Sequence, residues 1–191
     1  MRASPSGVVP MKRLVLLLCF CAVPSLAGEL EGVKMPDDVL VEGHALKLNG
    51  MGLRKKFIIN VYVAGLYVEH PNKDASAILG TDETRRVDMV MLRDLDAATI
   101  VEAIRTGFDK NAKAQLPGLQ ERLDAFCKIV PNVKKGQTLT ISYVPGKGTS
   151  IAGAGGATMI TGKDFADALF SVWIGKEPVD DTLKKGMLGA S

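Results

Sequence analysis

The stretch that decides the fold is FIINVYVAGLYV, residues 57–68. It is rich in β-branched and aromatic residues, and its only breaker is Gly65, so it predicts a long β-strand. Because side chains alternate along a strand, the odd positions from 57 onward form a wholly apolar face that we expect to lie in the core. The opposite face carries two polar side chains, Asn60 and Tyr62.

A turn signal and a basic cluster precede this strand. The sequence NGMG at 49–52 predicts a turn, because Asn and Gly tolerate positive φ. If the extended backbone begins directly after it, Arg54 shares a strand face with Asn60 and Tyr62. An arginine at the mouth of an apolar cleft can hold a carboxylate or an oxyanion through a bidentate contact. The alternative is that Arg54 points to solvent from a basic turn, as the neighbouring lysines suggest.

The rest of the chain supplies further strands and helices. Apolar alternation predicts strands at 85–92 and 137–144, and a glycine-weakened partner strand at 150–160. Four-residue apolar spacing and capping signals predict helices at about 96–111, after Pro117, before Gly175 and after Asp180 or Asp181. No alternating βαβ units are present, so the sequence predicts the α+β class, an antiparallel sheet with helices packed on one side.

The first 27 residues have the three parts of a secretory signal peptide. A basic start at 11–13 precedes the apolar run LVLLLCFCAV at 14–23, and small residues follow at 25 and 27, the −3 and −1 positions of a cleavage site. The run is shorter than the roughly 20 residues that a bilayer core requires, which disfavours the alternative of a membrane anchor. We expect cleavage after Ala27 and a periplasmic or secreted domain at 28–191. Translation could begin at Met1 or at Met11.

Composition and charge exclude several classes of function. The chain of 191 residues is 47% hydrophobic and has a formal net charge of +3, and its excess of basic residues lies in the N-terminal segment. The expected mature domain is therefore near neutral and lacks the positive field that nucleic-acid binding requires. Its one remaining cysteine, Cys127, cannot form an internal disulfide. His44 and His70 have no paired cysteines, so we expect no metal site and no cofactor.

A family resemblance extends this interpretation. Residues 48–69, LNGMGLRKKFIINVYVAGLYVE, resemble the core motif of the chalcone isomerase family, a Gly-x-Gly-x-Arg turn leading into a strand that ends Gly-aliphatic-Tyr. Residues 94–108 and 173–184 resemble later helices of that family. The resemblance covers roughly residues 35–189 and is strongest to the exported bacterial chalcone isomerase-like branch. It implies an open-faced β-sandwich, a large antiparallel sheet with a layer of helices.

The resemblance also implies a site. Arg54 matches the family's catalytic arginine, which holds the substrate oxyanion during ring closure. Four further polar positions of the family fall on Tyr62, Thr99, Thr106 and Val172, where the family has threonine, tyrosine, asparagine and threonine. Because only the arginine is retained, most of the hydrogen bonds that stabilise the transition state would be missing. The resemblance therefore favours a binding protein over a flavonoid enzyme.

Three functions remain open at this stage. The first is a non-catalytic binder of a fatty acid or similar amphiphilic carboxylate, because family members without the full site are thought to bind fatty acids. The second is an isomerase (an intramolecular lyase) acting on an enone or chalcone-like substrate, with Arg54 as electrophile and Tyr62 as donor. The third is an envelope interaction module without ligand. The expected partner is a small amphiphilic molecule, with no nucleic acid and no stable membrane span after signal cleavage. The candidate ligand-binding residues are Arg54, Asn60, Tyr62, Thr99, Thr106 and Val172.

Overall fold

The computed structural model describes residues 1, 28–152 and 159–190. The predicted signal peptide therefore lies outside the described residues except for Met1, as does most of the predicted strand at 150–160. The described chain forms eight strands, namely β1 (Gly28–Leu30), β2 (Val33–Met35), β3 (Asp38–Val41), β4 (His44–Lys56), β5 (Ile59–Val68), β6 (Arg85–Met91), β7 (Thr138–Val144) and β8 (Gly148–Ile151).

The sheet is an antiparallel meander. Strands β3 to β8 pair in sequence order to form one six-stranded sheet, and β1 pairs with β2 in a separate hairpin. The three hairpins β1–β2, β3–β4 and β4–β5 each turn through two residues. Antiparallel pairing of strands that follow one another in sequence, with helices inserted between β5 and β6 and between β6 and β7, is the α+β antiparallel architecture that the sequence predicts, which confirms the fold class.

Five α-helices complete the fold: α1 (Ala75–Gly80), α2 (Ala97–Asn111), α3 (Leu116–Lys128), α4 (Lys163–Ile174) and α5 (Asp181–Met187). The Asp96 side chain caps α2 by accepting from the Thr99 amide at 2.6 Å, and Asp180 caps α5 by accepting from the Leu183 amide at 2.9 Å. These caps confirm the predicted helix starts. No helix in the described part of the chain is long and apolar enough to cross a membrane.

The main core lies between the sheet and the helices. It contains the helix-facing side of β5, the inner faces of β6 and β7, and the buried faces of all five helices. Residues of α4 are almost all buried, because this helix packs against both the sheet and α2. A smaller cluster on the opposite face of the sheet joins Leu53 and Val63 to the β1–β2 hairpin. Strand β5 is therefore buried on both faces.

Two local predictions are wrong. The NGMG segment at 49–52 is not a turn but the middle of β4, with a bulge at Asn49. The hairpin turn lies instead at Phe57 and Ile58, which the pattern had placed at the start of the strand; their exposures are 92% and 95%. The glycines of 49–52 serve close packing, because a Cβ on Gly52 would overlap the backbone carbonyl of Leu183 in α5.

Candidate functional site

A cavity of about 600 Å³ lies between the sheet and helices α2 and α4. Its volume falls within the range of about 300–1,000 Å³ typical of small-molecule sites. Apolar side chains from β5, β6, β7 and both helices form most of its wall, among them Val61, Met89, Met91, Ile100 and Ile104. Charged side chains from β4, from the segment that precedes α2 and from α2 itself also line it. The cavity is therefore amphiphilic.

Two polar residues that line the cavity occupy paired positions on β4 and β5. Arg54 is the cross-strand partner of Tyr62, and Tyr62 is in turn the partner of Met91 on β6. Residues directly opposite each other on neighbouring strands project to the same face of a sheet. The cavity wall thus passes from a guanidinium through a phenol to an apolar side chain along one row of the sheet.

The Tyr62 hydroxyl is oriented by a donor. Trp173 Nε1 donates to the Tyr62 oxygen at 3.2 Å. Burial raises the pKa of Tyr62 to about 12, so the phenol is neutral at physiological pH. Since Trp173 is the donor in this contact, the hydroxyl proton of Tyr62 is available for an acceptor in the cavity.

Among the described residues, Arg54 forms an ion pair with Asp180. Its Nη1 lies 3.6 Å from Asp180 Oδ2, and the same nitrogen donates to the Lys55 carbonyl at 3.1 Å. The side chain is 20% exposed, so it lies at the rim of the cavity and is not splayed into bulk solvent. A guanidinium has five N–H donors. These two contacts use only Nη1, so the remaining donors can approach a ligand carboxylate.

The structure brings five of the six predicted site residues to this cavity. Arg54 and Tyr62 line it from the sheet, Thr99 and Thr106 from α2, and Val172 from α4. Thr99 and Thr106 are exposed, whereas Val172 is buried beneath the cavity. The polar positions that α2 contributes are therefore hydroxyls rather than the tyrosine and asparagine of the family pattern.

Asn60 is the exception, and a β-bulge explains it. The pairing of β4 with β5 changes from Arg54–Tyr62 to Lys55–Asn60, which leaves Val61 as the extra residue. A bulge places two successive residues on one side, and Val61 and Tyr62 both pack against the core beneath the helices. Asn60 then faces the other side and donates to Glu31 in the β1–β2 turn at 3.0 Å. The expected shared face of Arg54, Asn60 and Tyr62 is corrected accordingly.

Sequence reasoning missed two contributors. From the sequence, Trp173 is predicted only as part of a later helix, and Asp180 only as a possible helix cap. Trp173 lines the cavity as well as donating to Tyr62, and Asp180 pairs with Arg54. Neither signal is local, because each contact joins segments more than 100 residues apart.

Comparisons with known proteins agree with this fold. A family model described as chalcone isomerase-like matches residues 27–189. No curated protein matches the sequence. Among solved structures, the crystal structure of an Arabidopsis thaliana fatty-acid binding protein is similar, with a TM-score of 0.58 and 19% identity. That match covers 82% of this chain and 92% of the plant protein, and it shows a shared fold.

Proposed function

The chain belongs to the chalcone isomerase-like family, and on that premise we propose that it is a non-catalytic binding protein for a fatty acid or similar amphiphilic carboxylate. The observation that carries the proposal is that Arg54 and Tyr62, paired on neighbouring strands, line a cavity of about 600 Å³ with mostly apolar walls. The similarity to a fold that its title describes as fatty-acid binding supports the same ligand class.

The polar and apolar side chains of the cavity suit the carboxylate and the acyl chain of such a ligand. A carboxylate at the rim would accept from the guanidinium of Arg54 and from the hydroxyl of neutral Tyr62. A charge-assisted hydrogen bond contributes about 1.5–3 kcal/mol, and each buried methylene about 0.8 kcal/mol. An acyl chain against Met89, Met91 and Ile104 would therefore supply most of the binding free energy, and Arg54 would fix the orientation.

Export is a separate part of the proposal. We place the mature domain at 28–191 in the periplasm or outside the cell, with residues 1–27 removed as a signal peptide. The support is the basic, apolar and small-residue order of 11–27. Intact mass and N-terminal sequencing of protein from the periplasmic fraction test it, and a mature chain that begins at Gly28 is the expected result.

The decisive experiment is solvent extraction and mass spectrometry of protein purified from its own host. We expect an acyl carboxylate in stoichiometric amount. Arg54→Ala should lower the affinity for added palmitate at least about tenfold, by loss of the charge-assisted contact. Arg105→Ala is the matched control, because Arg105 pairs with Asp124 outside the cavity lining. Lipid-free wild type that binds no palmitate in titration would refute the proposal and favour an interaction module without ligand.

A second candidate is supported by the same pair of residues. A guanidinium beside a neutral phenol can also polarise an enone carbonyl, as an isomerase acting on a chalcone-like substrate requires. Naringenin chalcone with purified protein tests this candidate spectrophotometrically. A rate equal to that in buffer would eliminate it, whereas a rate that falls in Arg54→Ala would establish it.

A further inference from the structure

The turn between β4 and β5 exposes an unusual apolar surface. Phe57, Ile58 and Ile59 are consecutive, and their exposures are 92%, 95% and 46%. In the described chain, the other exposed large apolar residues are the isolated Met1 and Leu40. We call residues 55–59 the hairpin tip.

The hairpin tip departs from the pattern of the other two-residue turns in this chain. The β1–β2 and β3–β4 hairpins turn at Glu31-Gly32 and Glu42-Gly43, a polar residue followed by glycine. The β4–β5 hairpin turns at Phe57-Ile58, and Phe57 has a φ of +56°. A bulky aromatic residue is strained in this left-handed region, and an exposed apolar pair gains nothing from packing. A position that breaks two local rules without a structural gain indicates a function.

Unpaired positive charge adjoins these apolar side chains. Lys55 and Lys56 are exposed, and neither ammonium has an ion-pair partner among the residues that the structure describes. Apolar side chains beside basic ones are typical of surfaces that enter the interface of an anionic bilayer. A protein partner would also require a complementary acidic groove, whereas anionic headgroups above acyl chains present both features at any point of the surface.

The hairpin tip also forms part of the cavity rim. Lys56, Phe57 and Ile59 line the cavity together with Arg54. We propose that the hairpin tip docks on an anionic lipid bilayer, with Phe57 and Ile58 in the interface and Lys55 and Lys56 on the headgroups, so that the cavity opens toward the membrane. The docking proposal depends only on the exposed side chains of the hairpin tip, whereas a role of docking in loading an amphiphilic carboxylate rests on the proposed function.

Vesicle co-sedimentation of the protein produced from the full chain tests docking. The vesicles are phosphatidylcholine, alone or mixed with phosphatidylglycerol. Intact mass verifies that each variant has the same N-terminus as the wild type. We expect wild type to sediment with the mixed vesicles. Phe57→Asn/Ile58→Gly should weaken this binding at least about tenfold, because it removes the inserted side chains. This variant installs a preferred hairpin turn, so loss of folding would not explain the result. Leu40→Ser is the matched control.

The charge requirement has its own test. Lys55→Glu/Lys56→Glu should abolish binding to the mixed vesicles, since each basic residue near an anionic surface contributes to attraction. Lys47→Glu/Lys73→Glu makes the same charge change away from the hairpin tip, near the start of β4 and in the loop after β5, and should bind as wild type does. If the wild type bound neither kind of vesicle, the proposal would be overturned in favour of a protein-contact surface. If a hairpin-tip variant sedimented as the wild type does, the proposal would be overturned because the tip would not be the docking site. If delipidated protein sediments with the mixed vesicles, but extraction of the protein purified from its host finds no ligand, docking would be supported and only the proposed cargo would be refuted.

Discussion

The guanidinium of Arg54 lies 3.6 Å from the carboxylate of Asp180, so the cation at the cavity rim already faces an anion of the protein. Asp180 also accepts from the backbone amides of Lys55, at 3.2 Å, and Leu183, at 2.9 Å. It therefore joins the end of β4 to the start of α5. A ligand carboxylate must compete with Asp180 for the same guanidinium or tolerate a second negative charge beside it.

Replacing Asp180 with asparagine should therefore tighten ligand binding. Asp180→Asn removes the competing charge but keeps a side chain that caps helices about as well. We expect palmitate affinity to rise by roughly 3- to 10-fold, the range of a partly exposed charge interaction of about 1 kcal/mol. Calorimetric titration measures the change. Asp74→Asn, the same substitution at the cap of α1, is the control. An unchanged affinity in a stable Asp180→Asn variant would show that Asp180 does not compete.

The contact between α5 and β4 depends on glycines. A Cβ on Gly52 would overlap the carbonyl oxygen of Leu183, and a Cβ on Gly186 would overlap that of Met51. Backbone atoms cannot move aside as side chains do. We expect Gly52→Ala to lower the free energy of unfolding by about 3 kcal/mol, at the upper end of overpacking effects. Urea unfolding measures it.

The control substitution should change the free energy of unfolding in the opposite direction. Gly118 lies in α3, and a Cβ there would meet nothing within 4 Å. Gly118→Ala should stabilise the protein by up to about 1 kcal/mol, because alanine is the better helix former. If Gly52→Ala were as well tolerated as Gly118→Ala, the close approach of α5 to β4 would be wrong.

The sequence predicted the helices well because their signals are local. Asp96 and Asp180 cap through amides three residues away, and the apolar spacing of α3 and α4 gives their buried faces. The fold class followed from the order of these elements. Most of the site was also predictable, since Arg54 and Tyr62 belong to one motif and Thr99, Thr106 and Val172 follow from the resemblance.

What the sequence could not predict is set by contacts between distant segments. Local sequence rules predict a turn from the glycines at 50 and 52, but these residues are required because α5 packs against the backbone there. The bulge at Val61 reverses the face of Asn60, and periodicity cannot reveal an extra residue in a strand. The Phe57-Ile58 turn has the composition of a strand, so its position emerges only from the pairing of Lys56 with Ile59.

The tyrosines give a prediction for alkaline pH. Burial raises the pKa of Tyr62 to about 12, and it also raises the pKa values of Tyr67 and Tyr143, which are the other two of the chain's 3 tyrosines. Because these pKa values are raised on folding, the stability that neutral phenols contribute is intact below the unfolded value of about 10 and is lost as pH rises through the folded values.

Absorbance at 295 nm tests this sign. Native protein should show almost no tyrosinate at pH 10, where unfolded protein in guanidinium should be near half-ionised. The contribution of the tyrosines to the free energy of unfolding should fall between about pH 10 and 12. Circular dichroism separates ionisation from unfolding. A native titration with one third of the amplitude near pH 10 would mean that one tyrosine is solvated, and Tyr62→Phe would identify whether it is the cavity residue.

The position of Thr106 in the cavity lining predicts selectivity for acyl-chain length. Thr106 is an exposed residue of α2 that lines the cavity, so a larger side chain there would occupy ligand space without entering the core. Thr106→Phe should displace two or three methylenes of a long acyl chain, at a cost of about 2 kcal/mol, or roughly 30-fold in affinity for palmitate. Octanoate, which leaves part of the cavity empty, should lose much less. Ala98→Phe puts the same ring on α2 outside the cavity lining and should change neither affinity. Equal losses for both acids would indicate that Thr106→Phe acts on the carboxylate end, and the acyl chain would then not run along α2.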